Sequence, residues 1–283
     1  MPELPEVEVL VRHLHPLLRG KTIRDVFVGR KKVLSPTPVA AFQKNLRGAK
    51  FIELTRRGKY LLFRLRPPNG RHEITLLGHL GMTGRMFLAH KNEPLPKHAA
   101  VVLDLGAKNF IYEDARYFGR MTFDLKSVKT LGPEPLTEDF SLANFAQALK
   151  KSRQPIKVKL LDQSLIAGVG NIYASEALFR AGVAPRRAAN KLTLAEVGKL
   201  CAAIRKVLTE AIACGSTMPL NFNGGKTDGL FYFGRVPGAP DFYLERLCVY
   251  DLAGKPCIRC GSAIKRIVQA ARSTYFCPHC QKT

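Results

Sequence analysis

Cys257-Ile258-Arg259-Cys260 and Cys277-Pro278-His279-Cys280 stand sixteen residues apart near the end of the chain. Two Cys-x-x-Cys knuckles at this separation offer four thiolates, the donor set of a closed tetrahedral Zn²⁺ site. With all four positions filled by protein, such a zinc is structural and not catalytic. The chain has seven cysteines, an odd number. In a reducing compartment, close pairs mean metal before disulfide. His279 lies inside a knuckle and is read as a bystander. The arm between the knuckles carries Lys265, Arg266 and Arg272, and residues 252–283 hold six basic side chains and no acidic one. A metal-pinned hairpin with a basic tip suits a phosphate or a groove of nucleic acid. A solvated hairpin is the plainer alternative.

The charge extends far beyond that hairpin. The 283 residues carry 45 Lys+Arg against 22 Asp+Glu, a formal +23. Residues 1–133 contribute 24 basic and 11 acidic side chains, and residues 134–283 contribute 21 and 11. An excess shared by both halves points to one extended polyanion lying across both, with nucleic acid the first candidate. An anionic membrane surface is second, but neither a lipidation motif nor a basic amphipathic anchor is present. No run of 18 apolar residues exists, so no membrane span is expected. The acidic, proline-punctuated start does not read as a secretion signal. A cytoplasmic protein is expected.

Upstream of the knuckles, residues 215–247 are rich in Gly, Pro and aromatics and read as a long loop, a kind of segment often tied to function. Before it the pattern is helical over 141–151, 156–163, 171–181 and 193–214. The last of these opens with a Thr193/Glu196 capping box. Leu131-Gly132-Pro133-Glu134-Pro135 reads as a linker. Earlier still, short β-rich runs cover 22–28, 51–54, 60–66, 73–77, 85–88, 100–105, 109–112 and 120–124. Short strands at this spacing predict a sandwich or barrel. At the N-terminus, Val7, Leu10, Val11, Leu14 and Leu18 recur at helical spacing, with Pro5 in the first turn and Gly20 past the end. The expected architecture is α+β, with domains at 1–133 and 134–248 and a zinc finger at 249–283.

Four further stretches carry chemistry. Gly168-Val169-Gly170-Asn171-Ile172-Tyr173 precedes a helix, where glycines admit a close ligand and free N–H groups attract an anion. On a chain this basic, a DNA phosphate is the simplest such anion, although a tight turn entering a helix has the same sequence. His79-Leu80-Gly81-Met82-Thr83-Gly84 and Arg116-Tyr117-Phe118-Gly119 read as loop tips. Met82 is either core filler or an exposed wedge, and exposed wedges replace a base taken out of the DNA stack. Lys59 begins a strand within a basic cluster, a common place for a lysine. Pro2-Glu3-Leu4-Pro5-Glu6-Val7-Glu8 opens the chain. Removal of Met1 would expose a secondary amine able to form an iminium ion with an aldehyde-like carbon, with Glu3 beside it to move protons. The same residues also read as an extended lead-in to a helix. Cys201 and Cys214 fall at helical positions and are expected to be buried.

Together these stretches resemble the bacterial formamidopyrimidine-DNA glycosylases, in family order and over nearly the whole chain. The resemblance rests on the opening Pro2–Glu8 stretch, His79-Leu80-Gly81-Met82, Leu131-Gly132-Pro133-Glu134-Pro135-Leu136, the stretch from Gly168 to Glu176, and the cysteine knuckles. It implies an N-terminal β-sandwich with flanking helices, then a helix–two-turn–helix domain, then a zinc-finger β-hairpin, with double-stranded DNA between. It implies a monomer with one structural Zn²⁺, bound by Cys257, Cys260, Cys277 and Cys280. Activity would be excision of oxidised purines such as 8-oxoguanine, followed by β,δ-elimination of the strand. Pro2 would be the nucleophile at C1′, Glu3 the general acid/base, and Lys59 a catalytic-site phosphate contact. Met82, Arg116 and Phe118 would fill the gap left by the flipped nucleotide, with Arg116 facing the orphaned cytosine. His79, Lys157, Asn171 and Arg272 would complete the DNA-binding set.

Two departures from the family pattern stand out. Asp114-Ala115-Arg116-Tyr117-Phe118-Gly119 replaces the usual Asp-Pro-Arg-Arg-Phe-Gly, so Tyr117 stands where a second arginine would hold phosphate. Weaker phosphate affinity is expected, or a single hydrogen bond from Tyr117. Residues 215–249 are also longer than usual, which leaves the lesion spectrum open, along with the expected lesion contacts of Ser216 and Thr217. Two other readings compete. A non-catalytic nucleic-acid-binding module needs neither Pro2 nor Glu3. The endonuclease VIII-like branch, acting on oxidised pyrimidines, usually has Gly where this chain has Leu4.

Overall fold

The computed structural model describes residues 2–68, 70, 72–216 and 247–282. Most of the loop expected at 215–247, with Thr217, lies outside the described residues, as does Met1. The chain divides into two compact units. One holds Pro2 and Glu6–Lys129, and the other holds Glu3–Pro5, Thr130–Gly215 and the described residues from 247 onward. The division falls within the first helix, α1 (Leu4–Leu18).

The first unit is a sandwich of two antiparallel four-stranded sheets. One has the order β1 (Asp25–Val28), β6 (Ala99–Asp104), β7 (Lys108–Glu113), β5 (Arg85–His90). The other has the order β2 (Lys50–Arg57), β3 (Tyr60–Arg66), β4 (Ile74–His79), β8 (Arg120–Thr122). Alternation explains the packing of β3: Leu61, Phe63 and Leu65 are buried, while Arg64 and Arg66 face out. Phe51, Phe63 and Phe110 meet edge to face at 5.7–6.4 Å in the core. The apolar stripe of α1 joins that core through Val7, Leu10, Val11, Leu14 and Leu18.

The flanking helices expected of this unit are present, although the residue pattern over 22–124 predicts strands alone. A helix, α2 (Val39–Leu46), occupies the gap between the first two β runs. It is pinned by only two buried side chains one turn apart, Phe42 and Leu46, too few for a clear helical period. A short α3 (Lys126–Lys129) follows the sandwich. The first expected strand, 22–28, is regular only from Asp25, with Thr22 in an isolated bridge to Lys50.

The second unit is helical, with a hairpin appended. Its helices are α4 (Leu142–Lys150), α5 (Ile156–Lys159), α6 (Asn171–Ala181) and α7 (Leu194–Ser216). Ser141 caps α4 through the amide of Asn144. The Thr193/Glu196 box is present: Glu196 accepts from the Thr193 amide at 2.8 Å, and the Glu196 amide donates to the Thr193 hydroxyl at 3.3 Å. The helix expected over 156–163 ends four residues early. Asp162 accepts the amide and the hydroxyl of Ser164, a local turn that competes with continued helix. Gly182, at φ 72, terminates α6.

The hairpin is β9 (Lys265–Gln269) and β10 (Arg272–Phe276). Its turn residues, Ala270 and Ala271, both have positive φ, at 46° and 58°. A two-residue turn of this kind favours Gly or Asn, because an alanine there carries roughly 1 kcal/mol of strain. Arg272 leaves that turn exposed.

Candidate active site

Glu3 is 1% exposed, although a glutamate near a chain terminus is ordinarily solvated. The burial is compensated by α6. The amide of Ile172 donates to Glu3 Oε1 at 2.9 Å, and that of Tyr173 approaches Oε2 at 3.4 Å. These are among the first-turn N–H groups that no helix can satisfy internally, at its positive end. The anion at this helix start is therefore the chain's own carboxyl, where the sequence suggested a DNA phosphate. The neighbouring backbone is fixed too: the Leu4 amide donates to Gly168 O at 3.0 Å. Gly168 has φ +85, and a Cβ there would meet Leu4 at 2.6 Å. Pro2, which directly precedes this anchored residue, is buried.

The Asn171 side chain is anchored inside the same unit. Its Nδ2 donates to the Ser273 carbonyl of β10 at 2.9 Å, and its Oδ1 accepts from the Lys157 ammonium. Lys157 is fully buried, not a surface cation. Burial, reinforced by the Arg272 charge and opposed by Glu3, brings its pKa down to about 8. Glu176, one of the residues quoted from the motif but given no role, is also fully buried. It accepts the amides of Cys248, Val249 and Tyr250 at 2.9–3.0 Å and so fastens the chain entering the hairpin. A carboxylate bonded to a segment about seventy residues away leaves no local trace in sequence.

The four expected metal ligands come together. Cys257, Cys260, Cys277 and Cys280 place their Sγ atoms within 4.8 Å of one another. The Cys257–Cys280 pair is 3.8 Å apart and the Cys260–Cys277 pair 3.5 Å. A tetrahedral zinc with bonds of ~2.3 Å requires edges of about 3.8 Å, whereas a disulfide needs ~2.05 Å. The cluster can hold one zinc ion. Cys257 and Cys277 pack in a small core with Phe179, Val249, Ile264 and Tyr275. Arg259 lies 4.4 Å over the Phe179 ring and donates to the Phe179 carbonyl at 3.1 Å, which docks the knuckle on the end of α6.

In the sandwich unit, three turns gather at one end of the strands. Gly58 and Lys59 form the two-residue turn between β2 and β3, with Gly58 at φ 55. Lys59 is only 7% exposed. His79 ends β4, paired with Tyr60 on one side and Arg120 on the other. It packs on the Tyr60 ring at 4.8 Å. Burial, with the positive charges of Lys59 and Arg120, drives its pKa down to about 4. His79 is therefore neutral near pH 7. The Gly81 amide donates to Nδ1 at 3.2 Å, so the ring proton resides on Nε2 and that nitrogen is a donor.

The two expected tips are interlocked. A Cβ on Gly81 would lie 2.5 Å from Gly119 N, and one on Gly119 would lie 1.9 Å from the Tyr112 hydroxyl. The fully buried Asp114 ties them: its carboxylate accepts from the Thr83 hydroxyl at 2.9 Å, the Gly119 amide at 2.8 Å and the Arg116 amide at 3.2 Å. At these tips Met82 is 41% exposed and Phe118 52% exposed. Arg116 stacks on Phe118 at 4.9 Å. Met82 is thus at a surface, not in the core.

A β-sandwich unit together with a helical unit that ends in a four-cysteine hairpin defines an α+β protein with a zinc-finger-like hairpin. Residues 1–121 match the formamidopyrimidine-DNA glycosylase N-terminal domain, residues 131–221 its H2TH domain, and residues 254–283 the zinc finger found in FPG and IleRS. The chain is 39% identical to the formamidopyrimidine-DNA glycosylase of Listeria innocua, with both chains fully covered. It is 40% identical to that of Thermus thermophilus, covering 99% of this chain and 98% of the relative. Among solved structures, wild-type Lactococcus lactis Fpg in complex with an N7-benzyl-Fapy-dG containing DNA superposes with a TM-score of 0.87 at 33% identity, with full coverage of both chains. The same organism's enzyme bound non-covalently to DNA containing an AP site gives 0.84 at 32%, covering 99% of this chain and 100% of that one. The chain belongs to the formamidopyrimidine-DNA glycosylase family, the DNA glycosylases of base excision repair.

Proposed function

We propose that this enzyme excises oxidised purines from double-stranded DNA and then cuts the strand, with Pro2 as nucleophile. The observation that carries the reading is the docking of Glu3 on the N-terminus of α6, which fixes the residue next to it. Once Met1 is removed, the Pro2 nitrogen is a secondary amine. An α-amine titrates near ~8 and a lysine near ~10.4, so the amine is the better nucleophile at neutral pH. Its lone pair attacks C1′ of the damaged nucleotide, and the glycosidic bond breaks with its electron pair leaving on the base. Glu3 relays protons between the amine, the sugar and the departing groups. Opening of the sugar ring gives an iminium at C1′, which acidifies the C2′ hydrogen. Loss of that proton expels the 3′ phosphate, and a second elimination expels the 5′ phosphate.

The DNA contacts follow from charge and donor chemistry, and at the two tips from exposure. Lys59 and the His79 Nε2–H are donors for backbone phosphate near the lesion. Met82 and Phe118 are apolar wedges for the vacated stack, and Arg116 presents a fork of donors to the unpaired base opposite. Asn171 and Arg272 serve phosphate, with Lys157 orienting Asn171 and adding charge. The four cysteines would hold one structural zinc, and the hairpin they pin carries the Ser273 carbonyl that Asn171 donates to. The working division of the chain is a catalytic domain at 1–133, a helix–two-turn–helix domain at 134–248 and the finger at 249–283.

The test is borohydride reduction in the presence of duplexes bearing 8-oxoguanine or a formamidopyrimidine. A covalent enzyme–DNA adduct is expected with the native N-terminus and none when an extra residue blocks Pro2. Adduct formation by the blocked protein would rule out the assigned nucleophile.

A further inference from the structure

Arg30 follows β1 and is exposed, with exposed Lys31 and Lys32 directly after it. A run of three cations is ordinarily a solvated face. Arg30 differs because its side chain is fixed. Its Nε donates to the Tyr117 phenolic oxygen at 3.0 Å, and its Cζ lies 5.3 Å from the Tyr117 ring centroid. Hydrogen bonding through Nε leaves the two terminal nitrogens of the fork, and among the described residues they have no protein acceptor. The Tyr117 oxygen accepts from Arg30, so its own proton remains available to a third group.

Tyr117 is itself fixed. Its φ is +54, a conformation uncommon for a bulky side chain, and its ring packs against the sandwich core. The Asp114 carboxylate takes the amides on either side of it, those of Arg116 and Gly119. Backbone strain maintained in this way at an exposed tip is a mark of a functional position. The ring therefore holds the Arg30 guanidinium at position 117, the residue between Arg116 and Phe118 in the chain. One O–H and several guanidinium N–H groups facing solvent together form a donor set for a phosphate diester.

We infer that Arg30, positioned by Tyr117, binds a backbone phosphate of the DNA that meets the Arg116–Phe118 tip. It would supply the cation that position 117 itself lacks. The inference rests on the DNA reading above.

The experiment uses the zinc-loaded full chain and a duplex containing a tetrahydrofuran abasic analogue, with affinity read by fluorescence anisotropy across a salt series. Wild type should give a steep log–log slope. Arg30→Ala should bind about tenfold more weakly, with a slope shallower by about 0.9, the loss of one neutralised phosphate. Arg30→Lys should restore most of the slope, since it restores the charge. Tyr117→Phe should lose part of the affinity, and Arg30→Ala should cost less in a Tyr117→Ala background than in wild type. Thermal unfolding of each variant confirms that the fold is retained. An Arg30→Ala slope and affinity equal to wild type would overturn the inference while leaving the DNA reading intact. A flat salt response from wild type would instead remove the DNA reading itself.

Discussion

The carboxyl group of Glu3 fills the space that a side chain at Gly170 would need. A Cβ on Gly170 would lie 2.4 Å from Glu3 Cδ and 2.5 Å from Oε1. Gly170 has an extended backbone, φ −133, so the demand for glycine there is steric and not conformational. Gly170→Ala should therefore push Glu3 off the α6 amides. Single-turnover base release should fall by about the same factor as in Glu3→Gln, roughly 10²–10⁴, the usual worth of a positioned acid/base. DNA affinity should change far less, since no DNA-binding group is removed. Wild-type rates in Gly170→Ala would show that the packing of Glu3 is not needed.

Lys157 gives a pH test with a definite sign. Its folded pKa, about 8, lies below its ordinary value of 10.5. The folded protein thus sheds this proton first, and the unfolded chain binds more protons between those two values. Stability should rise with pH across that window, while DNA affinity should fall as the ammonium is lost above about pH 8. Anisotropy titrations in that range should show a decline of about tenfold, near the ~1.5 kcal/mol of one charge-assisted bond. Lys157→Gln should remove most of that decline. An unchanged decline in the variant would assign it to another group.

His79 behaves in the opposite range. Its pKa is depressed from 6.5 to about 4, so its neutral form belongs to the fold. Its contribution to stability is present above pH 6.5 and is lost as pH falls toward 4. The thermal midpoint should drop by several degrees over that interval, and by less in His79→Asn. Equal drops in the two proteins would mean that His79 is not the titrating group.

These particulars show what the sequence reveals and what it conceals. Signals that are local in the chain were legible: the capping box at Thr193, the cysteine knuckles, the helix at 171–181 and the strand at 60–66. The flanking glycines left Met82 open between core filler and exposed tip, and it is exposed. Features created by distant segments were not legible. Glu3 and Ile172 are 169 residues apart, and only folding reveals that the helix N-terminus already holds an anion. Lys59 opens a strand in a basic cluster and Lys157 carries no local signal, and neither pattern reveals that both are buried. Helix α2 offered too few apolar residues to show a period. The Arg30–Tyr117 pair links positions 87 residues apart, so the tyrosine alone suggested a lost contact or a single hydrogen bond of its own, and not a held arginine.

Zinc should be present at one equivalent per chain, released by thiol modification and detected with a chromogenic chelator. Removing it, or making Cys277→Ser, should break the small core around Phe179 and free β10 from Asn171. DNA affinity should fall by at least about tenfold, because the Arg272 and Asn171 contacts share this support. Full affinity in a zinc-free protein would separate the finger from DNA binding.

The most direct measurement is peptide mapping by mass spectrometry of the borohydride-reduced adduct between the native enzyme and an oxidised-purine duplex. The sugar remnant is expected on the nitrogen of Pro2, as the first residue of the mature chain. A remnant on Lys59, Lys157 or any other side chain would contradict the mechanism, whatever the zinc hairpin contacts.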